Sequence, residues 1–360
     1  MNESKLRVLR AFEFQRPDRI PRFDTFWEYP DSWREYFGAE STLSDIYIRV
    51  PEEGTFPTRK KHLKRAGPWE YFCDGWGRVC RSKDGAAFLE TISVPIAEPA
   101  DVDAVRFDPA EIEWRYPLDS LVEQKQAYCV FGKTGGPFLR STYVRGETQF
   151  LMDIAADPSL AKAIADKVAD HLIGIGVQQL KSWDLYDTGI WIFDDMGDNR
   201  GPLFSPESFE RVFLPAYKRM ISAYKRAGAE YVVLHSDGNI LPIADILVDA
   251  GIDGLNPLER KAGMDPEEIR RRYPSLILIG GMCNANVLPF GRKDEIISQT
   301  KRLIDLGRDG GFVIGAHSIG PDVSRENFEA YHRTCLSAGK YGGEEGRPGE
   351  IRRRKERVPW

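Results

Sequence analysis

This sequence predicts an α/β protein: a TIM-like (β/α)8 barrel with N-terminal helical and β-hairpin embellishments. Three observations carry that expectation. After residue 128, six short apolar runs alternate with helical stretches, as in repeated βαβ units of a parallel sheet. The chain has 360 residues, 42% of them hydrophobic, enough for one large core or two smaller ones. A doubly wound sheet fits the alternation too, but neither GxGxxG after a strand nor GxxxxGK(S/T) occurs.

The elements follow in order. Leu6, Val8, Leu9 and Phe12 recur at helical spacing and predict a helix over 4–14, stopped near Pro17. Ile20 to Trp27 reads as a strand with Asp24 near its end. Residues 71–95 read as a β-hairpin with Trp76, Val79, Phe88 and Ile92 on its arms and Asp84-Gly85 at the turn. One more strand belongs in the poorly patterned stretch 40–100. Residues 97–127 are rich in Pro and acids, then irregular or helical.

Cys129 to Phe131 opens the regular alternation. Helical pattern covers 137–183, broken near Asp157-Pro158. Strands follow at 190–193, 231–234, 251–255, 276–279 and 312–314. Helices lie between them at about 205–227, 240–250, 266–272 and 291–307, and a last one at 324–338. Ser205-Pro206 is an N-cap with Pro at the first helical position.

Charge and cysteines exclude several classes. The net charge is −5, and seven Lys/Arg against four Glu in 340–360 leave the body more acidic still. That is no footprint for nucleic acid. Five scattered cysteines without a CxxC make no disulfide framework. Met1-Asn2-Glu3-Ser4-Lys5 lacks the apolar core of a signal peptide, and no run of about 18 apolar residues would span a membrane. A soluble, cytoplasmic protein is expected.

In a barrel, functional groups collect at the C-terminal ends of the strands. Those ends carry Asp24, Asp194, Asp195, His235, Asp237, Glu259, Cys283 and His317. His235-Ser236-Asp237 is the strongest local feature, because residues i and i+2 of an extended chain point the same way. Imidazole, carboxylate and thiolate are all zinc ligands, and a catalytic zinc takes three with a position left open. His235 and Asp237 could equally bond each other or cap the helix near Ile240, and Cys283 could be a small core residue. Asp194-Asp195 suits a substrate-orienting pair, or one salt-bridged carboxylate and one cap. Glu259 suits a further ligand or an acid/base, or a surface pair with Arg260 or Lys261.

The same residues carry a family resemblance. Phe14-Gln15-Arg16-Pro17-Asp18-Arg19-Ile20-Pro21 resembles the opening of the uroporphyrinogen decarboxylase superfamily. Asp194-Asp195 with Ser205-Pro206-Glu207, and His235-Ser236-Asp237-Gly238-Asn239, follow in family order. So do Ala250-Gly251-Ile252-Asp253-Gly254-Leu255-Asn256-Pro257, and Gly315-Ala316-His317 with Glu326-Asn327. The resemblance covers about 5–338. It implies a barrel with a funnel at the strand C-termini, and a single barrel domain over 1–339, with 1–127 as its N-terminal part and 340–360 as a basic flexible tail.

It also implies one of two chemistries. True decarboxylases carry Arg-Gln-Ala-Gly-Arg after the first strand; here that region reads Arg22-Phe23-Asp24-Thr25-Phe26-Trp27. Corrinoid-linked methyltransferases often bind zinc through His-x-Cys after one strand and Cys after the last. Here His235 matches, while Asp237 and His317 stand where the cysteines would. A His/Asp/His set is harder than a thiolate site and suits polarising an oxygen.

The reading is therefore a methyltransferase that moves a methyl group from a methoxylated small molecule, aromatic or otherwise, to cob(I)alamin on a partner corrinoid protein. Zinc would sit at His235, Asp237, Cys283 and His317. Asp24, Asp194, Asp195 and Glu259 would serve as catalytic groups, with Phe26, Trp27 and Asn239 on the substrate. The alternatives are a metal-free decarboxylase and a non-catalytic barrel that binds a tetrapyrrole or corrinoid.

Overall fold

A computed structural model describes residues 1–83 and 89–342. Its strands are β1 (Ile46–Arg49), β2 (Lys61–Ala66), β3 (Trp69–Cys73), β4 (Val79–Lys83), β5 (Glu90–Ser93), β6 (Cys129–Gly135), β7 (Gly189–Phe193), β8 (Tyr231–His235), β9 (Gly254–Asn256), β10 (Ile277–Gly281) and β11 (Phe312–Gly315). The order β1-β6-β7-β8-β9-β10-β11 forms one parallel sheet, with helices in the crossovers. β1 is the strand left unplaced within 40–100.

The segment 20–26 closes this sheet into the TIM-like barrel that the alternation predicts. Phe23 and Thr25 donate N–H to Ile314 O and Ala316 O at 2.9 and 3.0 Å, while Asp45 N–H reaches Arg22 O at 2.8 Å on the β1 side. The strand expected over 20–27 is only a bridge-paired segment. Pro21 has no N–H to give a ladder, and Arg22 N–H turns to the Asp45 carboxylate at 2.9 Å.

Period-two alternation decides what fills the barrel. Ile46, Cys129, Phe131, Trp191, Tyr231, Val233, Ile277, Ile279 and Val313 point inward and bury completely or nearly so. The N-terminal mouth is stopped by the helix Glu3–Phe12, whose Asn2 cap accepts Lys5 N–H at 2.6 Å. Its Phe12 ring meets Tyr231 edge-on at 5.0 Å and Phe131 at 5.7 Å. The outer layer is led by the helix Pro158–Trp183. Asp157 caps it, as the break at Asp157-Pro158 predicts, and Ile164, Val168, Leu172 and Ile175 form its buried stripe. A second break falls at Gly146, at φ 88°, between helices Pro137–Arg145 and Glu147–Ala156.

Two N-terminal expectations need correction. The hairpin expected over 71–95 is part of a four-stranded antiparallel sheet, β2-β3-β4-β5, and Trp76 lies in the β3–β4 turn rather than on an arm. β2 escapes a pattern search because it is exposed along its whole length, so no apolar alternation marks it, whereas β4 and β5 pair as the two arms that carry Val79 and Ile92. The Asp84-Gly85 turn lies outside the described residues. Of the tail expected over 340–360, residues 343–360 lie outside the described residues. Lys340 still pairs with Arg19, and Tyr341 is buried with its hydroxyl donating to Ile304 O at 2.5 Å. Among the described residues, no helix is long and apolar enough to cross a membrane.

His171, on the helix Pro158–Trp183, ties the barrel wall to the loop after β1. Its Nε2 lies 2.9 Å from Glu53 O, and since a carbonyl only accepts, that nitrogen carries the proton. Burial pulls the imidazole down to about 4, outweighing that bond. The unfolded chain therefore binds this proton more readily between about pH 6.5 and 4, so the contribution of His171 to stability is lost as pH falls through that window. In urea denaturation, acidification from pH 6.5 to 4 should cost His171→Gln about 3 kcal/mol less than the wild type. Other groups are common to both proteins and cancel.

Candidate functional site

Four inward stripes run up the strands into the C-terminal mouth. Trp191 and Phe193 lead to Asp195; Tyr231, Val233 and His235 lead to Asp237; Val313 and Gly315 lead to His317; Cys129 and Phe131 lead to Lys133. Below the mouth these positions are apolar, and at the mouth they carry ligand and charge chemistry.

Two groups of potential ligands result, Asp195–His235–Asp237 and Asp237–Glu259–His317, with Asp237 common to both. His235 Nε2 lies 3.6 Å from Asp237 Oδ1 and 3.8 Å from Asp195 Oδ1. His317 Nε2 lies 3.3 Å from Asp237 Oδ1 and 3.5 Å from Glu259 Oε1. Asp237 Oδ1 is buried between the two imidazoles yet makes no hydrogen bond.

The far side of His235 explains this. Asn256 Nδ2 donates to Ile279 O at 3.2 Å, which turns its Oδ1 to His235 Nδ1 at 2.6 Å. His235 Nδ1 is therefore the protonated nitrogen, and the Nε2 lone pair faces carboxylate oxygens. Burial, against the pull of Asp237 and Asp195, lowers the His235 pKa, in favour of the neutral ring. Burial, with Asp195 and Glu259 nearby, raises that of Asp237. Glu259 goes the other way: despite burial, His317 and the Gly238 N–H at 2.5 Å hold it at about 2. Gly238 reaches that oxygen at φ 79°, in a turn where a Cβ would lie 2.5 Å from the Gly197 backbone.

A lone pair aimed at a buried, unpartnered carboxylate oxygen is unfavourable without a cation between them. Two imidazoles and two or three carboxylates fit a divalent ion, and the Asn256 hydrogen bond is the outer-shell contact that such a histidine ligand uses. Asp195, half-exposed, accepts Asp237 N–H at 3.1 Å and stands at the rim. Cys283 is buried and belongs to neither group among the described residues.

The other expected site residues belong to neither group, although Asp24 lines the cavity beside the cluster. Asp194 is fully buried beneath the helix Pro137–Arg145, accepting N–H from Phe138 and Leu139 at 3.1 and 2.6 Å and O–H from Tyr217 at 2.7 Å. Burial raises its pKa to about 6 against those bonds. Gly136 makes room for it, since a Cβ there would lie 2.2 Å from the carboxyl carbon. Asp24 is paired to Arg22 at 2.7 Å and also accepts Ala316 N–H and Tyr331 O–H, at 3.0 and 2.8 Å. Asn239 Oδ1 accepts Leu241 N–H at 3.0 Å at the start of a helix. Phe26 packs on Tyr29, Trp33 and Phe328, and Trp27 is 70% exposed.

Beside the cluster, a cavity of about 430 Å3 is walled by Phe23, Ile46, Ile48 and Phe193 and reached by His235, Asn256 and Lys133. Sequence reasoning missed Phe193, Lys133 and Asn256. The parity of Cys129, Phe131 and Lys133 would have found Lys133. Asn256 lies one residue beyond the strand as read from the sequence.

With the geometry in view, the likenesses of this chain can be placed. The sequence model of the uroporphyrinogen decarboxylase (URO-D) family matches residues 90–337. Uroporphyrinogen decarboxylases of Citrifermentans bemidjiense and Geobacter sp. (strain M21) are 27% and 26% identical over 247 residues, 64% of this chain and 68% of each relative. A solved methyltransferase from Methanosarcina mazei superposes at a TM-score of 0.62 and 16% identity, covering 93% of this chain and 99% of that one. At that identity the likeness is one of fold.

Asp194 and Asp237 should behave oppositely on substitution. Asp194→Ala strands two helix N–H groups and a buried hydroxyl and should cost about 3 kcal/mol in urea denaturation. Asp237→Asn removes an uncompensated charge and should leave the unfolding free energy within about 0.5 kcal/mol of wild type in metal-free buffer.

Proposed function

This chain belongs to the uroporphyrinogen decarboxylase family, and we propose that within it the protein transfers a methyl group from a methyl ether to cob(I)alamin carried by a corrinoid protein. The observation that supports this reading best is the buried Asp237 Oδ1 without a hydrogen bond, faced by two imidazole Nε2 atoms.

His235, Asp237, His317 and Glu259 would hold a zinc ion. When bound there, zinc supplies Lewis acidity toward an ether oxygen, with no protonated donor needed. The side chains do the positioning. Asn256 fixes which His235 nitrogen faces the cluster, and the Gly238 N–H anchors Glu259. The Phe193 ring stacks on His235 at 4.3 Å between centroids and keeps water from that side. Phe23, Ile46 and Ile48 give the substrate body a dry wall. Asp195, at the rim, is placed to orient the substrate. Asp24 and Asp194 act at one remove, by fixing the backbone that carries the site.

The named relatives favour a second reading, a metal-free decarboxylase. Against it, a substrate with many carboxylates needs several cations, and the described residues lining the cavity offer one, Lys133.

The test combines metal content with demethylation of methyl ethers in the presence of reduced corrinoid protein. Wild type should hold about one zinc per chain. His235→Ala should lose the metal and about 10²–10³-fold in methyl transfer. Metal-free wild type that decarboxylates uroporphyrinogen, or His235→Ala that keeps both metal and transfer, contradicts the reading.

A further inference from the structure

The antiparallel sheet β2-β3-β4-β5 takes no part in the cluster, yet it stands beside the mouth. The chain leaves β1 at Arg49, passes Val50 on the cavity wall and enters β2 at Lys61. On the way Glu53 accepts Gly135 N–H at the end of β6, at 2.6 Å, and pairs with Arg140. Trp76, in the β3–β4 turn, packs on Tyr143 of the helix Pro137–Arg145 at 5.5 Å between centroids. That helix follows β6, so the sheet is seated at the C-terminal ends of β1 and β6, on the rim.

Its charge is opposite to that of the rest of the chain. From Arg59 to Ser93 the sequence carries eight Lys/Arg against four Asp/Glu, in a chain of net charge −5. Arg59, Lys60, Lys61, His62, Lys64 and Arg65 fall within seven residues. β2 is an edge strand exposed along its whole length. Lys60 pairs with Glu52 and Arg81 with Glu90, whereas Lys61 and Lys64 form no ion pair among the described residues. Cys80 is fully buried, so its neighbour Arg81, in register with Tyr71 and Lys64, faces away from the body. There Lys64 lies 4.9 Å from the Tyr71 ring centroid and Arg81 4.3 Å from that of Trp69. A lysine on an edge strand keeps other sheets from pairing with it. A longer cationic run beside aromatic rings has the make-up of a binding surface.

We propose that the outer face of this sheet binds an acidic protein surface. On the methyl-transfer reading, on which this identity rests, that protein is the corrinoid carrier, the one reactant large enough to meet the sheet as it reaches the mouth. Attraction to β2 and repulsion by the acidic remainder of the chain orient its approach. A second copy of this chain fits the edge poorly, because β2 against β2 sets two cationic runs together.

The test compares two methyl acceptors, free cob(I)alamin and the reduced corrinoid protein. Lys61→Glu/Lys64→Glu should transfer to free cob(I)alamin as the wild type does. With the corrinoid protein at low salt its KM should rise at least about tenfold, while Lys61→Arg/Lys64→Arg keeps the wild-type value. Added salt should raise the KM of the wild type toward that of the Glu variant. An unchanged KM in the Glu variant, or an equal loss with both acceptors, overturns the proposal. A second arm needs no methyl transfer: fluorescence anisotropy of the full chain with labelled decaglutamate at low salt. The wild type should bind the peptide and the Glu variant should not. No binding by the wild type overturns the proposal, as does tighter binding of oligothymidylate, which makes the occupant a nucleic acid. Decaglutamate binding without transfer to either acceptor counts against the methyl-transfer reading only. Transfer to both acceptors without dependence on these charges counts against this surface only.

Discussion

The constraint behind the whole site is the strict alternation of side chains in parallel strands that curl until their ends meet. Every second residue of β6, β7, β8, β10 and β11 must enter the barrel, so each strand carries one inward stripe from the plugged end to the open one. In the lower part the stripes are apolar, and Trp191, Phe131 and Tyr231 fill the space completely. At the top they can no longer be covered, and the next inward positions fall to Lys133, Asp195, Asp237 and His317. A one-residue slip in β8 would turn both His235 and Asp237 away from the mouth. The fold and the site are thus one pattern, read below and above the level at which packing ends.

A second principle is the division of labour among the carboxylates. Asp24 and Asp194 are buried and hydrogen-bonded, Asp24 to one backbone N–H and Asp194 to two, each to a tyrosine hydroxyl, and Asp24 also to Arg22. They pin segment 20–26 to β11 and the helix Pro137–Arg145 to the end of β7. Asp237 and Glu259 lie higher, beside imidazoles, and Glu259 keeps one amide partner, the Gly238 N–H. The same residue type is structural where donors surround it and ligand-like where lone pairs do.

Much of this was legible in the sequence. The apolar runs located the later strands within a few residues, and the strand-end rule collected His235, Asp237, Glu259 and His317 in advance. Less could be read where the pattern rests on long-range contacts. β2 has no buried face to leave an alternation. Segment 20–26 looks like a strand, but Pro21 and the Asp45 carboxylate take its ladder apart. Adjacent residues such as Asp194 and Asp195 read alike, although parity sends one under a helix and the other to the mouth. Cys283 has the chemistry of a ligand and the burial of a core residue, and only coordinates separate the two. Lys133 lies two residues beyond the strand as read from the sequence, which ended at Phe131.

The central claim is that His235, Asp237, His317 and Glu259 enclose a metal ion. The most direct measurement is anomalous diffraction at the zinc edge from crystals of the full chain. The account predicts one strong peak within coordination distance of Asp237 Oδ1 and both imidazole Nε2 atoms. A map without a peak there, or with the ion at Cys283 instead, would contradict it.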